Sequence, residues 1–147
     1  MRLLREVAVY REGKGQFRWN KEWFTLEAAQ GWIESGQLVS ARQDGEMVGV
    51  MLFQSEDQRF WPDRPQGEAF FVHRLARKPG VRIEGGLAKP MLDWAYAETK
   101  RLGRPWLRLD CAPDDKLCAI YEGWGFDRID LKQIEPDFWS WRWEKHT

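Results

Sequence analysis

The stretch VRIEGGLAKP, Val81 to Pro90, sets two glycines side by side at the head of an apolar-periodic segment. A helix N-terminus carries backbone N–H groups without intrahelical partners and the positive end of the helix dipole. Glycine adds no Cβ, so an anion can approach such a backbone closely. Arg82, with Arg77 and Lys78 upstream, could add charge. The same residues would also serve as a plain tight turn. The spacing is not the G-x-G-x-x-G of a dinucleotide site, and Gly13-Lys14 lacks the spacer and the Ser/Thr of a phosphate loop. His73 is a second reactive type. Its ordinary pKa lies near neutrality, so it could exchange protons or be a satisfied structural histidine. Cys111 and Cys118 have no His/Cys cluster around them, fit no zinc spacing and read as reduced thiols. No metal site is expected.

These residues need elements to position them. Leu3 to Arg11 has a weak helical pattern, broken at Gly13. A helix is predicted from Thr25, its N-cap, to Ser35, with Leu26, Ala29, Trp32 and Ile33 on one face. Asp44-Gly45 between apolar runs predicts a hairpin of Leu38–Arg42 and Met47–Phe53. Ser55 to Gly67 is a polar, proline-bearing loop, and Glu68–Ala76 is a strand rich in β-formers. Alternation along that strand puts Glu68 and His73 on opposite faces. After the glycines, Leu87, Met91, Ala95 and Leu102 line a helix that Gly103 closes. Pro90 falls in its first turn, where the missing N–H costs little. Trp106–Cys111 alternates as a strand. Asp114 caps a short helix. Trp124–Leu131 and Phe138–Glu144 are closing strands, with Trp139, Trp141 and Trp143 on one face. The strand, helix, strand unit from Glu68 to Cys111 predicts a parallel crossover.

The chain of 147 residues suits a single domain, 1–147. Hydrophobic residues make up 43% and charged residues 31%, a globular balance. Lys and Arg number 23 and Asp and Glu also 23, so no basic excess points to nucleic acid. No apolar stretch reaches membrane-spanning length. The basic start MRLLREVAVYREGKG has no continuous apolar run and is not read as a signal peptide; a cytoplasmic protein is expected. Trp occurs ten times, which serves either core packing or a lined pocket.

LRLDCAPDDKLCAIYEGWGF, Leu107 to Phe126, ends a strand in Leu-Asp, follows it with a capped helix bearing a tyrosine, and closes on Tyr-Glu-x-x-Gly-Phe. Together with VHRLARKP and the glycine loop, this resembles the GNAT superfamily of acetyl-CoA-dependent N-acetyltransferases, over roughly Gln37 to Phe126. The resemblance implies an α/β fold: a mixed, strongly twisted sheet with a splay between two parallel central strands and helices on both faces. Residues 1–36 would form the acceptor side, 37–126 the acetyl-CoA-binding core and 127–147 the closing strands. The chain opens without the first strand common in relatives, so the sheet edge would be left uncovered or be completed by a second copy as a homodimer.

What the resemblance implies for residues follows its motifs. Acetyl-CoA would pair its pantetheine arm with the backbone at Leu75, Ala76 and Arg77. Its pyrophosphate would rest on Arg82, Ile83, Gly85, Gly86, Leu87 and Ala88, with Asp114 also on the cofactor side. The family pattern there is Gln/Arg-x-x-Gly-x-Gly/Ala. Gly86 and Ala88 fit its second half, whereas Ile83 stands in the Gln/Arg position and Arg82 is one residue early. Tyr121 is the implied proton donor to the departing thiolate. Glu68, His73 and Asp110 are the candidate bases, in that order. Trp19, Trp23 and Trp61 are candidate walls for the acceptor, with Asp110 beside it. The implied activity is acetyl transfer to a primary amine of a small molecule by direct attack in a ternary complex. Acetylation of a protein terminus or lysine, and a non-catalytic acyl-CoA-binding module, are the alternatives.

Overall fold

The computed structural model describes residues 24–147, so the segment before Phe24, with the predicted first helix and Trp19 and Trp23, lies outside it. The described elements are α1 (Leu26–Glu34), β1 (Leu38–Gln43), β2 (Glu46–Gln54), a 3-10 turn (Gln66–Glu68), β3 (Ala69–Arg77), α2 (Ala88–Arg101), β4 (Trp106–Cys111), α3 (Asp115–Gly123), β5 (Asp127–Glu135) and β6 (Phe138–His146). No helix among the described residues is long and apolar enough to cross a membrane.

The local signals act as elementary chemistry requires. Thr25 caps α1 by accepting from the Ala28 N–H at 3.1 Å, and Asp114 caps α3 by accepting from Lys116 and Leu117. All three α-helices among the described residues end the same way. In α2, Gly103 takes φ +75°, its N–H bonds Lys100 O, and the Arg104 N–H bonds Thr99 O. Equivalent pairs close α1 at Gly36 and α3 at Gly125. The α3 closure corrects the predicted start of β5. Residues 124–126 are consumed in capping, with the Phe126 N–H bonded to Tyr121 O, so the strand begins at Asp127. Asp44 and Gly45 both have positive φ, as the tight hairpin of β1 and β2 demands.

Six strands form a mixed sheet in the order β1-β2-β3-β4-β6-β5, as expected for the fold class. β3 and β4 are the parallel pair, joined through α2. Their register runs from Ala69 opposite Trp106 to Val72 opposite Leu109 and stops there, although β3 continues to Arg77. Arg74, just past the lapse, takes a left-handed φ of +53°, rare for a non-glycine residue.

The residues form two compact units. One runs to Leu52 and adds Arg74–Met91. Its core holds Phe24, Val50 and Ala76, with Trp32, Leu38 and Met47 packed on them, and the Arg74 guanidinium lies over the rings of Phe24 and Trp32. The other comprises Phe53–His73 and Leu92–Thr147. Its core includes Trp61, Ala69 and Phe71, packed by Phe60, Trp106 and Ile129.

Candidate functional site

In the first unit, the segment after β3 is built from two tight turns. Val81 N–H bonds Lys78 O across Pro79-Gly80, and Gly86 N–H bonds Ile83 O across Glu84-Gly85. Gly80 and Gly85 take φ +79° and +73° at the third turn position, the type II requirement. Gly86 follows at φ +81°, and α2 begins at Ala88. A Cβ on Gly85 or Gly86 would meet nothing within 4 Å, so the glycines face open space. Arg77 donates to Val81 O and braces the first turn, while Arg82 is exposed. Leu75 is half-buried and Ala76 buried, both on β3.

In the second unit, one face of the sheet is ionic. Alternation along β4 places Trp106, Arg108 and Asp110 together, and the register brings Glu144 and Arg142 of β6 opposite Arg108 and Asp110. His73 follows Phe71 by two on β3 and joins the same face. Its Nε2 is 2.7 Å from Asp57 Oδ2 and its Nδ1 3.1 Å from Asp110 Oδ1. Asp57 Oδ1 accepts from the Phe60 N–H, and Asp110 Oδ2 accepts from the Ser140 hydroxyl at 2.9 Å. Desolvation opposes charge on the ring, but the bonds to Asp110 and Asp57 outweigh it and raise the His73 pKa to about 9. His73 is therefore an imidazolium at neutral pH, with both N–H groups committed and no lone pair to offer.

Arg108 and Arg142, each about 1% exposed, lie over the Trp61 ring at 5.1 and 4.6 Å from its centroid. Arg108 pairs with Glu68 and Glu144; Arg142 pairs with Asp63 and Asp130. Burial opposes the charge on Arg142, but Asp130 and Asp63 hold it on, and in return Arg142 keeps the Asp63 carboxyl far below the usual carboxylate range. Trp61 Nε1 and Arg108 Nη1 are buried without a partner. The loop that carries Trp61 is folded by Gln66, whose Oε1 accepts from the Asp57 N–H and whose Nε2 donates to Trp61 O and Arg64 O.

Tyr121 lies on α3 against Trp143, Phe126 and Trp124, with ring centroids 5.8 to 6.1 Å away. Trp143 is fully buried, and its Nε1 donates to Cys111 Sγ at 3.2 Å. Burial pushes the Cys111 thiol up to about 12, so it stays protonated.

Of the residues singled out in the sequence, the structure brings His73 and Asp110 into direct contact. Glu68 is elsewhere. It sits in the 3-10 turn before β3, so strand alternation does not govern it, and its carboxylate reaches Arg108 on the same face as His73. The expected opposite-face arrangement is thereby corrected. Trp61 is wholly buried and presents no surface, whereas Trp94 and Trp139 are each 44% exposed. Asp114 is occupied as the α3 cap. Asp57, Ser140, Arg108, Arg142 and Glu144 carry no functional signal in the sequence. Asp57 lies in a stretch that reads only as polar loop, and the strand arginines look like solvent-facing alternation.

No protein-family model and no curated protein matches the sequence. Solved structures do match the fold. A GNAT-family acetyltransferase from Listeria monocytogenes superposes with a TM-score of 0.81 at 20% identity, covering 99% of this chain and 86% of its own. The ribosomal-protein-alanine N-acetyltransferase of Brucella melitensis gives 0.72 at 19% identity, over 96% and 91%. A GNAT-family acetyltransferase from Elizabethkingia anophelis, solved with acetyl-CoA bound, gives 0.63 at 14% identity, over 84% of each chain. The likeness is one of fold: this chain has the fold of the GNAT acetyltransferases.

Proposed function

We propose that the protein transfers an acetyl group from acetyl-CoA to the primary amine of a small molecule. The observation that carries this reading is the parallel pair β3 and β4, registered over four residues from Ala69 opposite Trp106 to Val72 opposite Leu109, within a fold like that of acetyltransferases. The residues fit the cofactor. Gly85 and Gly86 hold left-handed conformations with open space where a Cβ would be, directly before the α2 N-terminus, which suits a pyrophosphate. Leu75 to Arg77 would hold the pantetheine arm by backbone pairing. Bound acetyl-CoA would supply an activated acetyl thioester.

The chain's own groups have three tasks. An alkylamine with a pKa of about 10.4 is neutral in only roughly one molecule in two thousand at pH 7, so the acceptor needs help to lose a proton. His73, held charged, is poorly suited to that. Glu68 and Asp110 are the remaining candidates, with one oxygen of Glu68 engaged by Arg108 and both oxygens of Asp110 by His73 and Ser140. A backbone N–H near Leu75 or Ala76 would meet the oxyanion. Tyr121 would donate a hydrogen bond from Oη to the leaving sulfur. Full proton transfer from a phenol to a thiolate is uphill by roughly 2 kcal/mol on reference pKa values, so hydrogen bonding is the main contribution.

The first experiment is thermal unfolding with and without saturating acetyl-CoA. Ligand at one hundred times its dissociation constant adds about 2.7 kcal/mol, a shift of several degrees for a domain of this size. A shift followed by thiol release with a small amine supports the reading. No shift at millimolar acetyl-CoA refutes it. The likeness to the Brucella enzyme favours a second reading, acetylation of a protein N-terminus, which predicts turnover with peptides and none with small amines.

A further inference from the structure

We propose that Asp57 is a positioning residue that commits both His73 ring nitrogens as donors, and that His73 in turn orients Asp110 and fastens the loop 55–67 to the sheet. The inference rests on the acetyl-transfer reading for its catalytic consequence alone.

A neutral imidazole has one donor and one acceptor. His73 faces a carboxylate oxygen on each nitrogen, at 2.7 and 3.1 Å. Neither oxygen can donate unless it is protonated, so two carboxylates select the doubly protonated ring. The groups around it come from three elements. The loop gives Asp57 and the Phe60 ring, whose centroid is 5.2 Å away; β4 gives Asp110; and β6 gives Ser140, bonded to Asp110, and Arg142, opposite Asp110 in register. Further along the same face stand Arg108 with Glu68 and Glu144. Arg142 is paired with Asp63 and Asp130.

The charge therefore has a mechanical role. Asp57 is the loop's contribution to the ion triad, and its second oxygen fixes the turn leading to Phe60. Removing its charge leaves His73 with one carboxylate, returns the ring toward ordinary titration, and frees the loop at that point. His73 then keeps Asp110 as its one carboxylate, but the ring is no longer anchored at Nε2, so the orientation it gives Asp110 Oδ1 loosens. Under the acetyl-transfer reading, Asp110 is a candidate at the acceptor, so its orientation reaches the chemistry.

The test is ¹⁵N-histidine NMR on the whole chain. There are two histidines, and His146→Gln assigns them. Wild-type His73 is expected to show two protonated nitrogens at pH 7.5. In Asp57→Asn its titration midpoint should fall by about one to three pH units. Tryptic cleavage after Arg59, half-exposed in the loop, should quicken about tenfold in the same variant. Turnover should drop about tenfold with the KM for acetyl-CoA unchanged. A wild-type ring that is neutral at pH 7.5 overturns the proposal, and that measurement needs no variant to fold. An unchanged midpoint, cleavage rate or turnover in a folded Asp57→Asn protein overturns it as well. If acetyl-CoA fails to stabilise the wild type, the acetyl-transfer reading falls, while the NMR and cleavage results still decide the role of Asp57.

Discussion

Leu87 fills the space that a side chain at Gly49 would need. A Cβ on Gly49 would stand 2.1 Å from Leu87 Cδ2 and 2.9 Å from the Ala76 carbonyl oxygen. β2 thus lacks a side chain where the head of α2 and the end of β3 press closest, and Leu87, read from the sequence as a cofactor contact, has a packing side chain.

Gly49→Ala should therefore destabilise the protein by about 1–3 kcal/mol, the usual range for overpacking. The leucine can rotate away but the Ala76 carbonyl is backbone, so Leu87→Ala added to Gly49→Ala should recover only part of the loss. Thermal melts of the single and double variants check both statements.

Arg108 separates Glu68 from Glu144 and lies over Trp61. Arg108→Met leaves two carboxylates without their shared cation and should cost about 3–5 kcal/mol. Adding Glu144→Gln should return part of that, because the substitution removes the buried charge left unpaired. Chemical denaturation of the two proteins measures the difference.

His73 makes stability depend on pH with a definite sign. Its folded pKa is raised from 6.5 to about 9. The native state holds the proton more tightly, so the contribution is full below pH 6.5 and is lost as pH rises through 9. A shift of that size is worth on the order of 3 kcal/mol. Unfolding free energy should therefore decline between pH 6.5 and 9 in the wild type, and His73→Gln should flatten that slope.

Tyr121→Phe keeps the ring that rests on Trp143 and removes only the hydroxyl. On the proposed acetyl-transfer function, turnover should fall by about one to two orders of magnitude, with stability and the acetyl-CoA melting shift preserved. Turnover equal to wild type across the pH range would leave Tyr121 a packing residue.

The sequence by itself determined the order of elements from α1 to β6, the Asp44-Gly45 hairpin, the caps Thr25 and Asp114, and the glycine stop after α2. Each depends on atoms within a few residues: a side-chain oxygen reaching an N–H two or three positions on, or a backbone angle that glycine adopts freely. Element ends were less legible. β5 starts late because a capping bond to Tyr121 O takes Phe126 first. Tertiary structure alone decided what the chemical residues became. His73 has an ordinary proton-exchanging identity until Asp57 and Asp110, from a distant loop and strand, close on its two nitrogens. Trp61 could have lined a pocket until two buried guanidinium groups closed over its ring. Glu68 changed face because it stopped one residue short of the strand. Charge state and burial are set by neighbours that only folding assembles, and no local spacing records them.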